Sequence, residues 1–321
     1  MRVARCSAVS VLCICVCAGL AQAQTFPVKP VRIVTSGIGG ANDFTARLVA
    51  LGLTSSLGQQ VIVENRGGAS AAISVMPVVK ASPDGYTLLS HGSPLWMLPF
   101  LQDNVPYDPL HDLAPIALVM IAANVLVVHP SLPVKAVKEL IALARARPGT
   151  LNYSTTSLGS PSHLSAELFK AMAGVRIVGI PYKGAAQSVQ DLVSGRVELS
   201  FPSSAAAGAH IKSGRLKPLA VTSAEPSVLF PGLPTIAAAG LPGYESVGRF
   251  GMFAPAGTPV AIINRLNQEI AKVLSSTDVR EKFLAVGGEV VGGSPDAFAA
   301  TIKSEMARMG KVIRDAGIRA E

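Results

Sequence analysis

Two loops rich in glycine and hydroxyl side chains carry the residues best suited to chemistry. The first, Ser36-Gly37-Ile38-Gly39-Gly40-Ala41-Asn42-Asp43, follows a β-branched run at Val31, Ile33, Val34 and Thr35 that reads as a buried strand. It precedes Phe44, Leu48 and Leu51, spaced as one face of a helix that Asn42 or Asp43 is expected to cap. Strand, glycine turn and helix start together form a device for holding an anion. The first helical N–H groups lack partners within the helix, the aligned peptides place partial positive charge there, and glycine lets a ligand approach the backbone. The second loop, Ser154 to His163, is almost entirely small hydroxyl residues and ends at another expected helix start, with Ser160 as N-cap and Pro161 at the first helical position. A third candidate, Pro181-Tyr182-Lys183-Gly184, offers a phenol and a cation between a strand and a helix. Each loop can also be read as a purely structural turn, and the pairing of two such loops is what suggests opposed polar jaws around a cleft.

Other chemistries find no seat. Gly37-x-Gly39-x-x-Asn42, with Glu64 ending the next strand, approaches a dinucleotide fingerprint, but Asn42 stands where the third glycine is needed for close helix–strand packing. There is no G-x-S-x-G elbow. The histidines His91, His111, His129, His163 and His210 are scattered and form no metal-ligand spacing. The reading is a protein with no catalytic residues, no metal and no cofactor, the alternative being an exported enzyme acting on a small organic acid.

The elements that must position these loops follow from the rest of the chain. The 321 residues, 49% of them hydrophobic, are ample for one large or two medium domains. Residues 1–23 read as a signal peptide: Arg2 and Arg5 precede an apolar stretch from Val9 to Leu20, and Ala21-Gln22-Ala23 is a cleavage site. All four cysteines lie inside that segment, so the exported chain would have no disulfide. Its remaining 26 basic and 20 acidic residues are dispersed, which speaks for a solvated surface and against nucleic-acid binding. Short apolar runs and helical segments alternate from Val31 to Ser90 and again from Asn124 to Thr222, implying mostly parallel sheets with helices on both faces. Residues 91–112 read as irregular, Gly251 to Ala254 as a strand, and the end of the chain as helical.

Phe26-Pro27-x-Lys29-Pro30-Val31-Arg32, Gly39-Gly40-x-x-Asp43, Val61-x-Val63-Glu64-Asn65-Arg66, Pro83-Asp84-Gly85-Tyr86, Pro106-Tyr107-Asp108-Pro109, Pro181-Tyr182-Lys183-Gly184, Leu233-Pro234-Thr235 and Ala254-Pro255-x-Gly257-Thr258-Pro259 follow one another along the chain. In these the sequence resembles the Bug family of periplasmic solute-binding receptors, the extracytoplasmic component of tripartite tricarboxylate transporters. The resemblance implies a two-lobed type II periplasmic-binding fold, each lobe an α/β unit. Lobe 1 would be residues 24–123 and 246–321, and lobe 2 residues 124–245. It implies a small carboxylate as ligand, held by backbone amides and waters, membrane permease subunits or a sensor kinase as partners, and a monomeric periplasmic receptor. The ligand-binding residues it implies are Ser36, Gly39, Gly40, Asn42, Asp43, Ser93, Ser154, Ser157, Gly159, Ser160, His163, Tyr182, Lys183, Pro202 and Arg249. Three of these depart from the family pattern: Ser36 opens Ser36-Gly37-Ile38 where the family usually has a Pro-Phe-x-Pro-like approach to the first glycines, Pro202 follows Phe201 where an acidic residue is usual, and Arg249 stands where a tryptophan is frequent.

Overall fold

The computed structural model describes residues 26–38, 40–67, 71–155, 160–182, 184–315 and 317–318. The expected signal peptide and its cleavage site lie outside them, as do Gly39, Ser157, Gly159 and Lys183.

The chain opens β1 (Val31–Thr35), α1 (Ala41–Leu57), β2 (Val61–Asn65), α2 (Ala72–Val79), β3 (Thr87–Gly92), α3 (Pro94–Leu101) and β4 (Leu113–Ala123). It continues β5 (Val125–Val128), α4 (Val137–Ala146), β6 (Asn152–Thr155), α5 (Pro161–Ala173), β7 (Val178–Pro181), α6 (Ala185–Val193), β8 (Leu199–Ser200), α7 (Ser204–Lys212) and β9 (Lys217–Val221). It closes β10 (Val247–Pro255), α8 (Val260–Ser275), α9 (Thr277–Ala285), β11 (Glu289–Val290) and α10 (Pro295–Asp315).

These strands form two sheets, ordered β11-β4-β10-β3-β1-β2 and β7-β6-β8-β5-β9. In the first, β2, β1, β3 and β4 share one direction, and β10 runs antiparallel between β3 and β4. In the second, β6, β7, β8 and β9 share one direction, and β5 runs antiparallel between β8 and β9. Most strands of each sheet share one direction, as expected, but both sheets are mixed: one antiparallel strand is inserted in each, and β11 adds a second on the edge of the first sheet. The inserted strand is the one by which the chain arrives from the other sheet.

Interior strand β1, between β3 and β2, buries apolar side chains on both faces because helices cover both; Val31, Ile33 and Val34 are fully buried, each worth about 1.5–3 kcal/mol of transfer free energy. Helix α1 starts at Gly40 and stops at Gly58, whose φ of +67° suits glycine. Asn42 and Asp43 are thus corrected from N-cap to first-turn residues. Helix α10 turns Phe298, Ile302, Met309 and Ile313 inward at helical spacing and packs on β4, α3 and α5. One apolar core passes without a break from the α2, α3 and α10 side of the first sheet to the α4 and α5 side of the second. Separate cores lie beneath α1, α8 and α9, and beneath α6 and α7.

The chain passes between sheets at Asn124 and again just before β10, and the two crossings are clasped together. Asn124 N–H donates to Thr222 Oγ1 (2.8 Å), and the Thr222 hydroxyl and amide donate to the Asn124 carbonyl at 3.0 and 2.9 Å. Ser246 N–H donates to the Thr222 carbonyl, and the Ser165 hydroxyl lies 2.9 Å from that of Ser246 and 3.2 Å from Asn124 Nδ2.

One buried group makes stability depend on pH. His91 on β3 is 2% exposed, Gly92 N–H donates to its Nδ1 (3.0 Å), and among the described residues its Nε2 has no partner. Burial lowers its pKa to about 4, so between that value and about 6.5 the unfolded chain binds the proton more readily than the folded one. Stability from this group is complete above pH ~6.5 and is lost as the pH falls. Between about pH 7.5 and pH 4.5 the loss is about 2 kcal/mol. Urea midpoints at both pH values, compared with those of His91→Gln, measure it. The variant is expected to show a drop smaller by that amount, and equal drops would refute the assignment.

Candidate functional site

A cleft of about 390 Å³ opens between the two sheets, on the side of β10 opposite α10. Four helices begin on it. Gly40 and Ala41 bring the start of α1, Pro161 and Ser162 that of α5, Ala185 that of α6, and Ser203 that of α7. Local sequence explains each start. Ser160 accepts a hydrogen bond from His163 N–H and Ser203 from Ala206 N–H, both as side-chain N-caps. Helices α1 and α6 begin instead at Gly40 and Gly184, which have no side chain to cap the first amides. The converging helix ends bias the space toward negative charge.

Hydroxyl groups on the second-sheet side are fixed from behind. Ser154 on β6 is fully buried; its Oγ accepts from the Ser188 hydroxyl (2.9 Å) and its carbonyl accepts from the Ser200 hydroxyl (2.7 Å). Ser188 and Ser200 both line the cleft. On the first-sheet side the lining is apolar: Phe44, Met120 and Phe250, with Val286 at the end of α9. Asn124, at the first crossing between the sheets, also lines the cleft.

Of the residues expected from the sequence, Gly40 and Pro202 line the cleft. Ser160 caps a lining helix, and Ser154 positions two lining serines. Others serve as struts. Ser36 Oγ accepts from Asn42 Nδ2 (3.0 Å), while Asn65 Nδ2 donates to the Ser36 carbonyl and to Asp43 Oδ1 (2.9 and 2.7 Å). Asp43 is 4% exposed and also pairs with Arg47 at 3.0 Å, so its carboxylate braces the first loop against β2. Ser93 is joined to Arg249 backbone-to-backbone and through its hydroxyl, tying the end of β3 to β10. The Tyr182 hydroxyl donates to Asp191 Oδ2 (3.0 Å) on α6.

Two of the expected residues lie outside the cleft lining. His163 is 4% exposed and stacks on Tyr153, with its Nε2 3.8 Å from Glu167; burial lowers its pKa, and its side chain lies between α5 and β6, outside the cleft lining. Arg249 sits between cleft-lining Gly248 and Phe250, and strand alternation sends its side chain to the opposite face. There it pairs with Glu245 (2.5 Å) and Glu305 (3.1 Å). Glu305 also accepts from Trp96 Nε1 (3.0 Å), and burial raises its pKa against the pull of Arg249. Among the lining residues that sequence reasoning missed, Phe44, Ser188 and Ser203 stand at or within about one turn of a helix start; the α1 and α6 starts lie in loops that the sequence singles out as candidates, and the α7 start does not.

Among the described residues no group of His, Asp or Glu is placed to hold a metal ion, and no helix is long and apolar enough to cross a membrane. The family described as "Tripartite tricarboxylate transporter family receptor" matches residues 45–318. The chain is 39% identical over 301 residues to Protein BugT of Bordetella pertussis, covering 93% of this chain and 92% of that protein. Two solved structures resemble it in fold and sequence. R. palustris Rpa4515 with adipate is 40% identical, with TM-score 0.73 and coverage of 92% of this chain and 99% of the other. MatC from Rhodopseudomonas palustris with bound malate is 29% identical, with TM-score 0.70 and coverage of 90% and 100%.

Proposed function

The chain belongs to the tripartite tricarboxylate transporter receptor family, and from that premise we propose that it captures a small carboxylate in the inter-sheet cleft and releases it unchanged to a membrane partner. The observation that carries this reading is the arrival of four helix N-termini, drawn from both sheets, on one shared space. An acid group there accepts from main-chain N–H groups and from fixed serines, with waters completing its shell. Adipate and malate in the similar structures support the same ligand class.

In this reading residues 24–123 with 246–321 form one lobe and residues 124–245 the other. The lobes close about the clasp at Asn124, Thr222 and Ser246. A ligand that touches α1 on one side and α5, α6 and α7 on the other favours the closed form because only that form satisfies both sets of contacts. The N-terminal segment directs the chain to the periplasm and is removed after Ala23. The monomeric receptor then delivers its ligand to permease subunits.

Calorimetry of the exported chain against a panel of dicarboxylates and tricarboxylates tests the proposal. Saturable one-to-one binding, with the acid recovered unaltered, is the expected result. Folded protein that binds no member of the panel, or that converts one to product, would overturn it.

A further inference from the structure

The two walls of the cleft differ in chemistry. The second-sheet wall presents helix starts and the hydroxyls of Ser162, Ser188 and Ser203, and the first-sheet floor beside the α1 start at Gly40 and Ala41 is hydrocarbon. On that floor the Phe250 ring lies against two glycines. Phe250 is in register with Gly92 on β3, and a Cβ on Gly92 would come within 3.0 Å of the ring; one on Gly248, two residues earlier on β10, would come within 3.3 Å. Absence of side chains at those two places lets the ring rest against bare backbone while Phe250 lines the cleft. Met120 is in register with Phe250 on the other neighbouring strand, β4, and extends the same surface. Phe44 reaches the cleft from α1, its ring held edge-on by Phe283 at 5.7 Å between centroids.

Resting on the receptor reading above, the geometry points to a narrower ligand class: a carboxylate whose body is unsubstituted hydrocarbon or aryl, in preference to a hydroxylated acid of equal length and charge. The acid group faces the helix starts of α5, α6 and α7, and the body lies on the Phe250 floor. Phe250 and Phe44 are the specificity-determining side chains. A rigid aromatic surface gains by covering hydrocarbon, and it has no acceptor or donor for a ligand hydroxyl. Each hydroxyl placed against it gives up its water partners and receives none in return. A volume of about 390 Å³ leaves room for such a body beside the carboxylate.

Matched pairs test this: adipate against its tetrahydroxy counterpart galactarate, and succinate against malate, titrated calorimetrically into wild type, Phe250→Leu and Phe250→Asn. In wild type the hydrocarbon member of at least one pair is expected to bind at least ~10-fold more tightly than its partner. Phe250→Leu keeps that ratio, and Phe250→Asn reduces it to below about 3-fold, the folded state of each being checked by its melting curve. Equal or tighter binding of the hydroxylated members by wild type refutes the narrower class and leaves the receptor reading standing. Binding of no member of either pair or of the wider panel overturns both. The wild-type comparison decides the proposal even where a variant fails to fold.

Discussion

Replacing Arg249 with methionine is expected to lower the melting temperature by roughly 6–12 °C while carboxylate affinity stays within about three-fold of wild type. The Arg249 side chain is 8% exposed and that of Glu305 is 7% exposed, so the pair is out of water. Removing one partner of a buried pair costs about 3 kcal/mol or more, because the other charge is left behind in a poorly solvating place. Glu305 has a second donor in Trp96 Nε1, which a glutamine at 305 would keep as a partner. The double variant R249M/E305Q is therefore expected to recover about half of the lost stability. Affinity is little changed because Arg249 lies behind β10, with Gly248 and Phe250 forming the wall on the ligand side. An affinity loss above ~10-fold with a small change in melting temperature would mean that Arg249 clamps the ligand.

The second large effect is expected from Ser203→Asp. Ser203 caps α7 by accepting from Ala206 N–H, and aspartate caps as well as serine does; its charge also suits a helix N-terminus. Folding should be unchanged or slightly improved. The same substitution places a carboxylate on the cleft wall. Two like charges ~6 Å apart at an effective dielectric of ~20 repel by about 2–3 kcal/mol, which weakens carboxylate binding roughly 30- to 100-fold. Calorimetry beside a thermal melt separates the effects: a variant that melts as wild type and binds as wild type would remove the α7 helix start from the site.

These two positions also show where the sequence was legible. Glycine loops and strand–helix alternation are local signals, so the helix starts at Ala41 and Pro161 and the two α/β blocks could be read directly, whereas the expected opposed polar jaws missed the apolar first-sheet side of the cleft. Arg249 could not be placed, because the strand read as starting at Gly251 begins at Val247; with the strand start uncertain, the parity of position 249, and hence its face, was undetermined. Helix α7 carries Ala205, Ala206, Ala207 and Gly208, which give no apolar stripe to detect, so the cap at Ser203 was overlooked. Helix α3 was hidden by Pro94 and Pro99, yet the first sits at the helix start, where proline is tolerated. Residues on the first-sheet floor meet the second-sheet serines only through tertiary folding, which no local pattern encodes.

The insertion of β10 has a consequence for how the protein is made. Strands β3 and β4 are joined only through β10, which the chain supplies more than 120 residues after β4 ends. An emerging chain that has not reached Val247 therefore holds the first sheet in two halves, with the edges of β3 and β4 open to water and to one another's neighbours. Completion waits for the C-terminal quarter of the chain, a high-contact-order closure that favours slow, post-translational assembly. Cutting the chain anywhere between the two crossings should yield fragments that fold poorly apart and complement each other when mixed.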